Sequence, residues 1–183
     1  MSTITLGDKR FISYISEQRI LESIDRVAAN INRDLRGQKP LFLVVLNGAF
    51  LFAADLLRRI ELDCEVSFVK LASYQGDSST GQVKQLIGLT ENLEGRTVII
   101  VEDIVDTGLT LEHIVEQLNT KRPSAVYTAA LLFKPEAYKR SLPVQYTGIE
   151  IPNAFIVGYG LDYNGLGRNL RDIYVVQEEG ARG

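Results

Sequence analysis

The chain has 183 residues, enough for one well-buried domain and too few for two ordinary ones. Its 20 Lys plus Arg stand against 23 Asp plus Glu, a net charge of −3, so no basic field announces a nucleic-acid partner and any anionic ligand must be held by a local site. Hydrophobic residues at 45% exclude a disordered chain, the single cysteine, Cys64, excludes an internal disulfide, and no apolar run reaches the ~20 residues of a membrane helix.

The opening stretch MSTITLGDKRFISYIS lacks the basic, apolar, small-residue order of a signal peptide, so the expectation is a soluble cytoplasmic protein. Ile20, Ile24, Val27, Ile31 and Leu35 recur at helical spacing, and Gly37 and Pro40 end that pattern. LFLVVL (41–46) is a short apolar run of the kind buried inside a parallel sheet. AFLFAADLLRRI (49–60) predicts a buried helix and CEVSFVKLA (64–72) a strand. The polar, glycine-bearing SYQGDSSTGQ (73–82) is the one long loop in the middle, a place for mobility or function. LIGLT and TVIIVEDIV predict strands, TLEHIVEQLNT a helix, and SAVYTAALLF another strand. From Pro135 onward, short strands such as FIVGY and DIYVV alternate with glycine-rich loops. Alternating strands and helices imply a single α/β domain, a mostly parallel twisted sheet with helices on both faces. Neither a repeat nor a linker divides residues 1–183.

Asp106-Thr107-Gly108 ends the apolar run of VIIVEDIVDTGLTLEHI. An aspartic protease needs two such triplets, or a short all-β chain that dimerises, whereas this chain has one triplet followed by a helical pattern. The alternative is a turn between a buried strand and a helix, where unpaired N–H groups and the helix dipole attract phosphate. Gly108 permits close approach there, and the hydroxyls of Thr107 and Thr110 add donors. A bland reading remains: Asp106 or Thr107 as a helix cap. Capping does not account for Glu102 and Asp103, two adjacent carboxylates that are costly to bury and are expected to emerge at the sheet's open edge, where ligands bind. They suit sugar hydroxyls or a magnesium ion.

This string resembles the phosphoribosyl-pyrophosphate motif of the type I phosphoribosyltransferases. VLNGAF, KLASYQGDSSTG, VEDIVDTGLT, LLFKPEA and AFIVGYGLDYNGLGRNLRDI follow the order of their counterparts in the hypoxanthine-guanine phosphoribosyltransferase family, across nearly the whole chain. The resemblance implies transfer of ribose 5-phosphate from phosphoribosyl pyrophosphate to hypoxanthine or guanine, with Mg2+, in a homodimer or homotetramer. It also implies a small hood subdomain from about residue 150 to 183, with or without the N-terminus.

By the same resemblance, Glu102 and Asp103 hold the ribose hydroxyls, Asp106 is the general acid/base at purine N7, and the backbone and hydroxyls of Asp106, Thr107, Gly108, Leu109 and Thr110 cradle the 5-phosphate. Lys134 reads the 6-oxo group, Phe155 stacks on the base, Ile156 meets the base edge through its backbone, and Asp162 binds magnesium near the purine along with Glu102 and Asp103. Leu46, Asn47 and Gly48 form a pyrophosphate loop with a non-proline cis peptide, Arg168 meets the pyrophosphate, and Ser73 and Tyr74 head a loop that closes over the site. Leu109 and Asn47 stand where the family pattern has a basic residue, which predicts weaker hold on phosphate and leaves that loop's part in subunit contacts open.

Taken singly, Lys134 is a surface lysine, Phe155 a core residue, His113 structural and Cys64 a small buried residue; only their order beside the other motifs alters this for the first two. Gly165 and Gly167 lack the third glycine and setting of a dinucleotide site. An RNA-binding regulator on the same fold is the remaining alternative, disfavoured by the charge.

Overall fold

The computed structural model describes residues 2–74 and 83–177. In chain order the elements are β1 (Thr3–Leu6), β2 (Lys9–Ile15), α1 (Glu17–Asp34), β3 (Leu41–Val45), α2 (Phe50–Leu57), β4 (Glu65–Tyr74), β5 (Val83–Ile87), β6 (Thr97–Val105), α3 (Leu109–Asn119), β7 (Ala125–Phe133), β8 (Tyr146–Glu150), β9 (Ile156–Val157) and β10 (Ile173–Val176). A six-stranded sheet runs β5-β4-β3-β6-β7-β8, all parallel except the antiparallel edge strand β5.

Local chemistry explains the main elements. Ser16 caps α1 by accepting the Arg19 N–H at 3.4 Å, and Ile20, Ile24, Val27 and Ile31 fall on its buried face. All five residues of β3 are buried because helices cover both faces of the sheet. Alternation along the central strands divides the interior: Phe42, Val44, Ile99 and Val101 pack with α1 and α2, while Leu41, Leu43, Val98 and Ile100 pack with Leu111, Ile114 and Leu118 of α3. Each such side chain, fully buried, stabilises the fold by about 1.5–3 kcal/mol before ordering entropy is counted.

A second, antiparallel sheet runs β1-β2-β10-β9 and joins the two ends of the chain. Asp172 accepts the Glu17 N–H at 2.8 Å, fastening this sheet to the start of α1. Phe11, Val157 and Tyr174 form its own small core, whereas Ile156 packs into the larger one, so β9 bridges the two.

Two expectations need correction. The strand expected at LIGLT lies earlier, at Val83–Ile87, because its register is set by pairing with β4 and the chain turns away at Gly88, where φ is +98. Ser73 and Tyr74 belong to the end of β4, paired with Lys84 and Val83, so the expected loop of 73–82 begins no earlier than residue 75; the ladder's backbone hydrogen bonds hold them. The remainder of the expected lid, residues 75–82, lies outside the described residues.

Candidate active site

The carboxyl ends of β3, β6 and β7 bring the site together, as expected where an α/β sheet opens. At the end of β6, Gly108 is the N-cap of α3 with φ +83, and no side chain caps the helix. Neither Asp106 nor Thr107 is therefore the cap; the Thr107 hydroxyl only accepts the Leu109 N–H at a long 3.4 Å. A Cβ on Gly108 would strike the Tyr138 ring and come within 2.8 Å of Arg140 Cγ. The result is an uncapped helix start at the mouth of a cleft of about 260 Å³ lined by residues 102–111. Its dipole and N–H groups suit a phosphate. Leu109 is exposed in this cradle, and no basic side chain lies within 106–110.

Glu102 does not emerge at the sheet edge as expected. It is 5% exposed, and burial, with the charge of Asp103 second, holds its carboxyl well above the ordinary range. Burial also pushes Asp103 up to about 6, against the lowering effects of the Ile104 N–H at 2.9 Å and of Arg168. The Asp103 carboxylate lies hard against Gly48, so a Cβ at Gly48 would occupy its place. The loop that carries Gly48 contains a cis peptide between Leu46 and Asn47 and is tied to β4 by the Leu46 N–H, which donates to Val69 O at 2.8 Å.

β7 delivers Lys134 to the same end of the sheet. Its ammonium, 8% exposed, donates to Asp106 Oδ2 at 2.8 Å and to Asn153 Oδ1 at 3.3 Å. Lys134 is buried, unlike the surface lysine that its sequence position alone suggests. Phe155 is likewise not core: it is 46% exposed, edge-on to Tyr163 at 5.8 Å and tilted against Phe11 at 6.2 Å. With nearly half of its surface exposed, Phe155 has area left for a flat ligand. Ile156 is buried on β9, the edge strand, whose outer backbone groups are not paired within the sheet. Asp162 accepts the Gly165 N–H at 2.7 Å and pairs with Arg168 at 2.6 Å, and Arg168 also donates to Gly160 O at 2.7 Å.

A profile of the phosphoribosyl transferase domain matches residues 13–164. The hypoxanthine-guanine phosphoribosyltransferase of Dictyostelium discoideum is 40% identical over 169 residues, 90% of this chain and 94% of that protein. The chain belongs to the hypoxanthine-guanine phosphoribosyltransferase family. Among solved structures, the hypoxanthine-guanine phosphoribosyltransferase of Bacillus anthracis, with a HEPES molecule in its active site, is 38% identical and superposes with a TM-score of 0.83 over 91% of this chain and 98% of its own. A variant of the Trypanosoma cruzi hypoxanthine phosphoribosyltransferase in a ternary substrates complex is 34% identical, with a TM-score of 0.83 over 94% and 97% of the two chains.

In this family member, three groups beside the site carry no signal in the linear pattern. Asn153 reaches Lys134 from a turn. Tyr159 donates its hydroxyl to Asp55 of α2, and burial first, then that hydrogen bond, raises its phenol. Arg140 lies over Gly108 and pairs with Glu112 at 2.9 Å. All three depend on contacts between distant segments. His113 turns back onto its own helix, its Nδ1 2.7 Å from Leu109 O, in line with a structural role. Cys64 is half-buried, and burial raises its thiol.

Proposed function

We propose that this chain transfers the 5-phosphoribosyl group of phosphoribosyl pyrophosphate to hypoxanthine or guanine in purine salvage, giving IMP or GMP and pyrophosphate. The observation that carries the reading is the contact of Asp106 with Lys134 beside an uncapped helix start: a carboxylate base and an ammonium donor share the mouth of a phosphate cradle. In the reaction, the purine N7 proton passes to an Asp106 carboxylate oxygen while the N–H electron pair stays in the ring. Purine N9 bonds to C1 of the ribose, and the C1–O pair departs with pyrophosphate. Lys134, released from Asp106 by the incoming base, donates to its 6-oxygen. Phe155 stacks on the base, the outer edge of Ile156 meets its rim, and the four-stranded sheet acts as the hood.

Residues 106–110 hold the 5-phosphate, and the loop Leu46, Asn47 and Gly48 together with Arg168 receives the pyrophosphate. Glu102 and Asp103 are the residues we assign to the ribose hydroxyls, and Asp103, when ionised, favours the positive charge that grows on the sugar as the bond breaks. Magnesium, when bound, would neutralise the leaving pyrophosphate, and Glu102, Asp103 and Asp162 are the carboxylates that would hold it. Carboxylate oxygens are the donors that a hard cation takes, and Asp103 and Asp162 lie near enough for their charges to act on one another. Among the described residues no three such groups are placed to hold an ion by themselves. We place the enzyme in the cytoplasm, working as a homodimer or homotetramer. None of the described helices is long and apolar enough to cross a membrane. Val66, Phe68 and Ile87 offer an exposed apolar face at the β4-β5 edge for a second copy.

The test is a panel of adenine, hypoxanthine, guanine, xanthine and uracil with phosphoribosyl pyrophosphate, with and without magnesium. The expected result is magnesium-dependent turnover of hypoxanthine and guanine, with adenine up to about 10⁴-fold poorer because a donor would face its 6-amino donor. A preference for adenine or uracil, or full activity after exhaustive chelation, would overturn the reading.

A further inference from the structure

Lys134 carries an ammonium nearly shut off from water, and two oxygens of different chemistry hold it. Asp106 Oδ2, at 2.8 Å, belongs to a carboxylate. Asn153 Oδ1, at 3.3 Å, belongs to a neutral amide that takes up no proton. A buried cation stripped of its partners is strongly disfavoured, so the number and permanence of its acceptors matter. In the proposed reaction Asp106 becomes a neutral acid when it receives the purine proton, and its attraction for Lys134 falls at that moment. The purine oxygen and Asn153 are then the acceptors left to the ammonium.

Asn153 is well placed for this. It sits in the turn between β8 and β9, and Ile151, two residues before it, donates its N–H to Phe133 O at 2.9 Å, the residue next to Lys134. Ala154 donates to Pro152 O at 2.8 Å and closes the turn. Two and three residues after Asn153 the chain supplies Phe155 and Ile156, so a single side chain ties the ammonium to the segment that we assign to the base. Asn153 itself is exposed, and only its amide reaches inward to a buried group.

We propose that Asn153 is the positioning residue that keeps the Lys134 ammonium aimed at the 6-oxygen while Asp106 takes the purine proton. This rests on Lys134 as the reader of the 6-oxo group. Asn153 thereby helps set the preference for 6-oxopurines without touching the reacting atoms.

The experiment compares kcat/KM for hypoxanthine and adenine in the full-length protein and in Asn153→Leu, Asn153→Ala, Asn153→Asp and Lys134→Gln. Loss of one hydrogen bond to a charged group should lower hypoxanthine efficiency roughly tenfold in Asn153→Leu and Asn153→Ala. Adenine efficiency, the KM for phosphoribosyl pyrophosphate and the Tm should stay near wild type. Asn153→Asp keeps an oxygen at the same place and should recover most of the loss. A parallel fall for both bases, or no change for either, makes Asn153 an ordinary turn residue and overturns the proposal. If Lys134→Gln shifts the hypoxanthine-to-adenine ratio while both neutral Asn153 variants leave it alone, the positioning role fails and the reading of Lys134 stands. If Lys134→Gln also leaves the ratio unchanged, both fail together.

Discussion

Asp103 holds its carboxyl at about 6, above the ordinary 3.8, chiefly because burial disfavours the charge. A folded-state value above the unfolded one means that the native protein binds the proton more tightly. This contribution to stability is fully present below about pH 4 and is lost as the pH rises through about 6. Asp103→Asn removes the penalty. It should stabilise the ligand-free protein at neutral pH by on the order of 1–3 kcal/mol and flatten stability between those two pH values, while turnover falls. Thermal melts of both proteins across that range check it, and an unchanged profile would show that Asp103 does not titrate there. Leu109 is the other telling single position, an exposed apolar side chain at the proposed phosphate cradle. Leu109→Lys adds a cation at the first turn of α3, which costs a few tenths of a kcal/mol in the free helix through the dipole. It should nonetheless lower the KM for phosphoribosyl pyrophosphate by roughly 3- to 10-fold through one charge-assisted contact. Steady-state kinetics with saturating hypoxanthine measures this directly.

At the scale of elements, the site depends on how closely the loop after β3 approaches the end of β6. Gly48 lies against the Asp103 carboxylate with no room for a Cβ, so the loop after β3 and Asp103 form one packed unit. Gly48→Ala should displace one of the two and cost about 1–3 kcal/mol in stability, as other overpacking substitutions do. The KM for phosphoribosyl pyrophosphate should rise more than that for hypoxanthine. Comparison of both KM values with the Tm shift decides it, and equal KM changes would mean the loop does not contact pyrophosphate. The β6-turn-α3 unit was legible from VIIVEDIVDTGLTLEHI because everything that shapes it is local: an apolar strand, a glycine with positive φ and a helical repeat. The amino-terminal hairpin is less legible: Gly7-Asp8 between two short runs is a hairpin signal, but TITL and KRFISYI are mostly exposed or half-buried. Their place was decided by β10, over 150 residues away, which β2 pairs with in the second sheet.

At the scale of the whole molecule, one face of the β4-β5 edge is left uncovered by the described residues. Pairing sets Val66 and Phe68 beside Phe42 and Val44 of β3, on the face that α1 and α2 cover elsewhere, and Ile87 opposite Lys70 on the same face. Val66, Phe68 and Ile87 are 40%, 51% and 53% exposed, and Phe50 at the start of α2 is 40% exposed. Such a cluster fits the centre of a subunit contact, which typically buries ~800 Å² per partner. Phe68→Asp should convert the proposed oligomer to monomers with little change in melting of the isolated chain, since Phe68 is already half in water. Sedimentation velocity over a range of concentrations checks this. If the wild-type protein sediments as a monomer throughout, the face serves some other purpose.

The sequence by itself determined the alternating α/β architecture, the strand that ends in the acidic pair, and the family resemblance, because periodicity and turn chemistry act over a few residues. It also carried the residues from Leu46 to Arg168 that the resemblance names as the site, though not their surroundings. Only the tertiary structure decided that Glu102 is buried, that Lys134 lies in contact with Asp106 and Asn153, and that Phe155 keeps an exposed face. Burial and ion pairing depend on which segments meet at the sheet's end, and Lys134 and Asp106, 28 residues apart, meet because β6 and β7 are parallel neighbours in register. No local pattern encodes that meeting; strand order and register do.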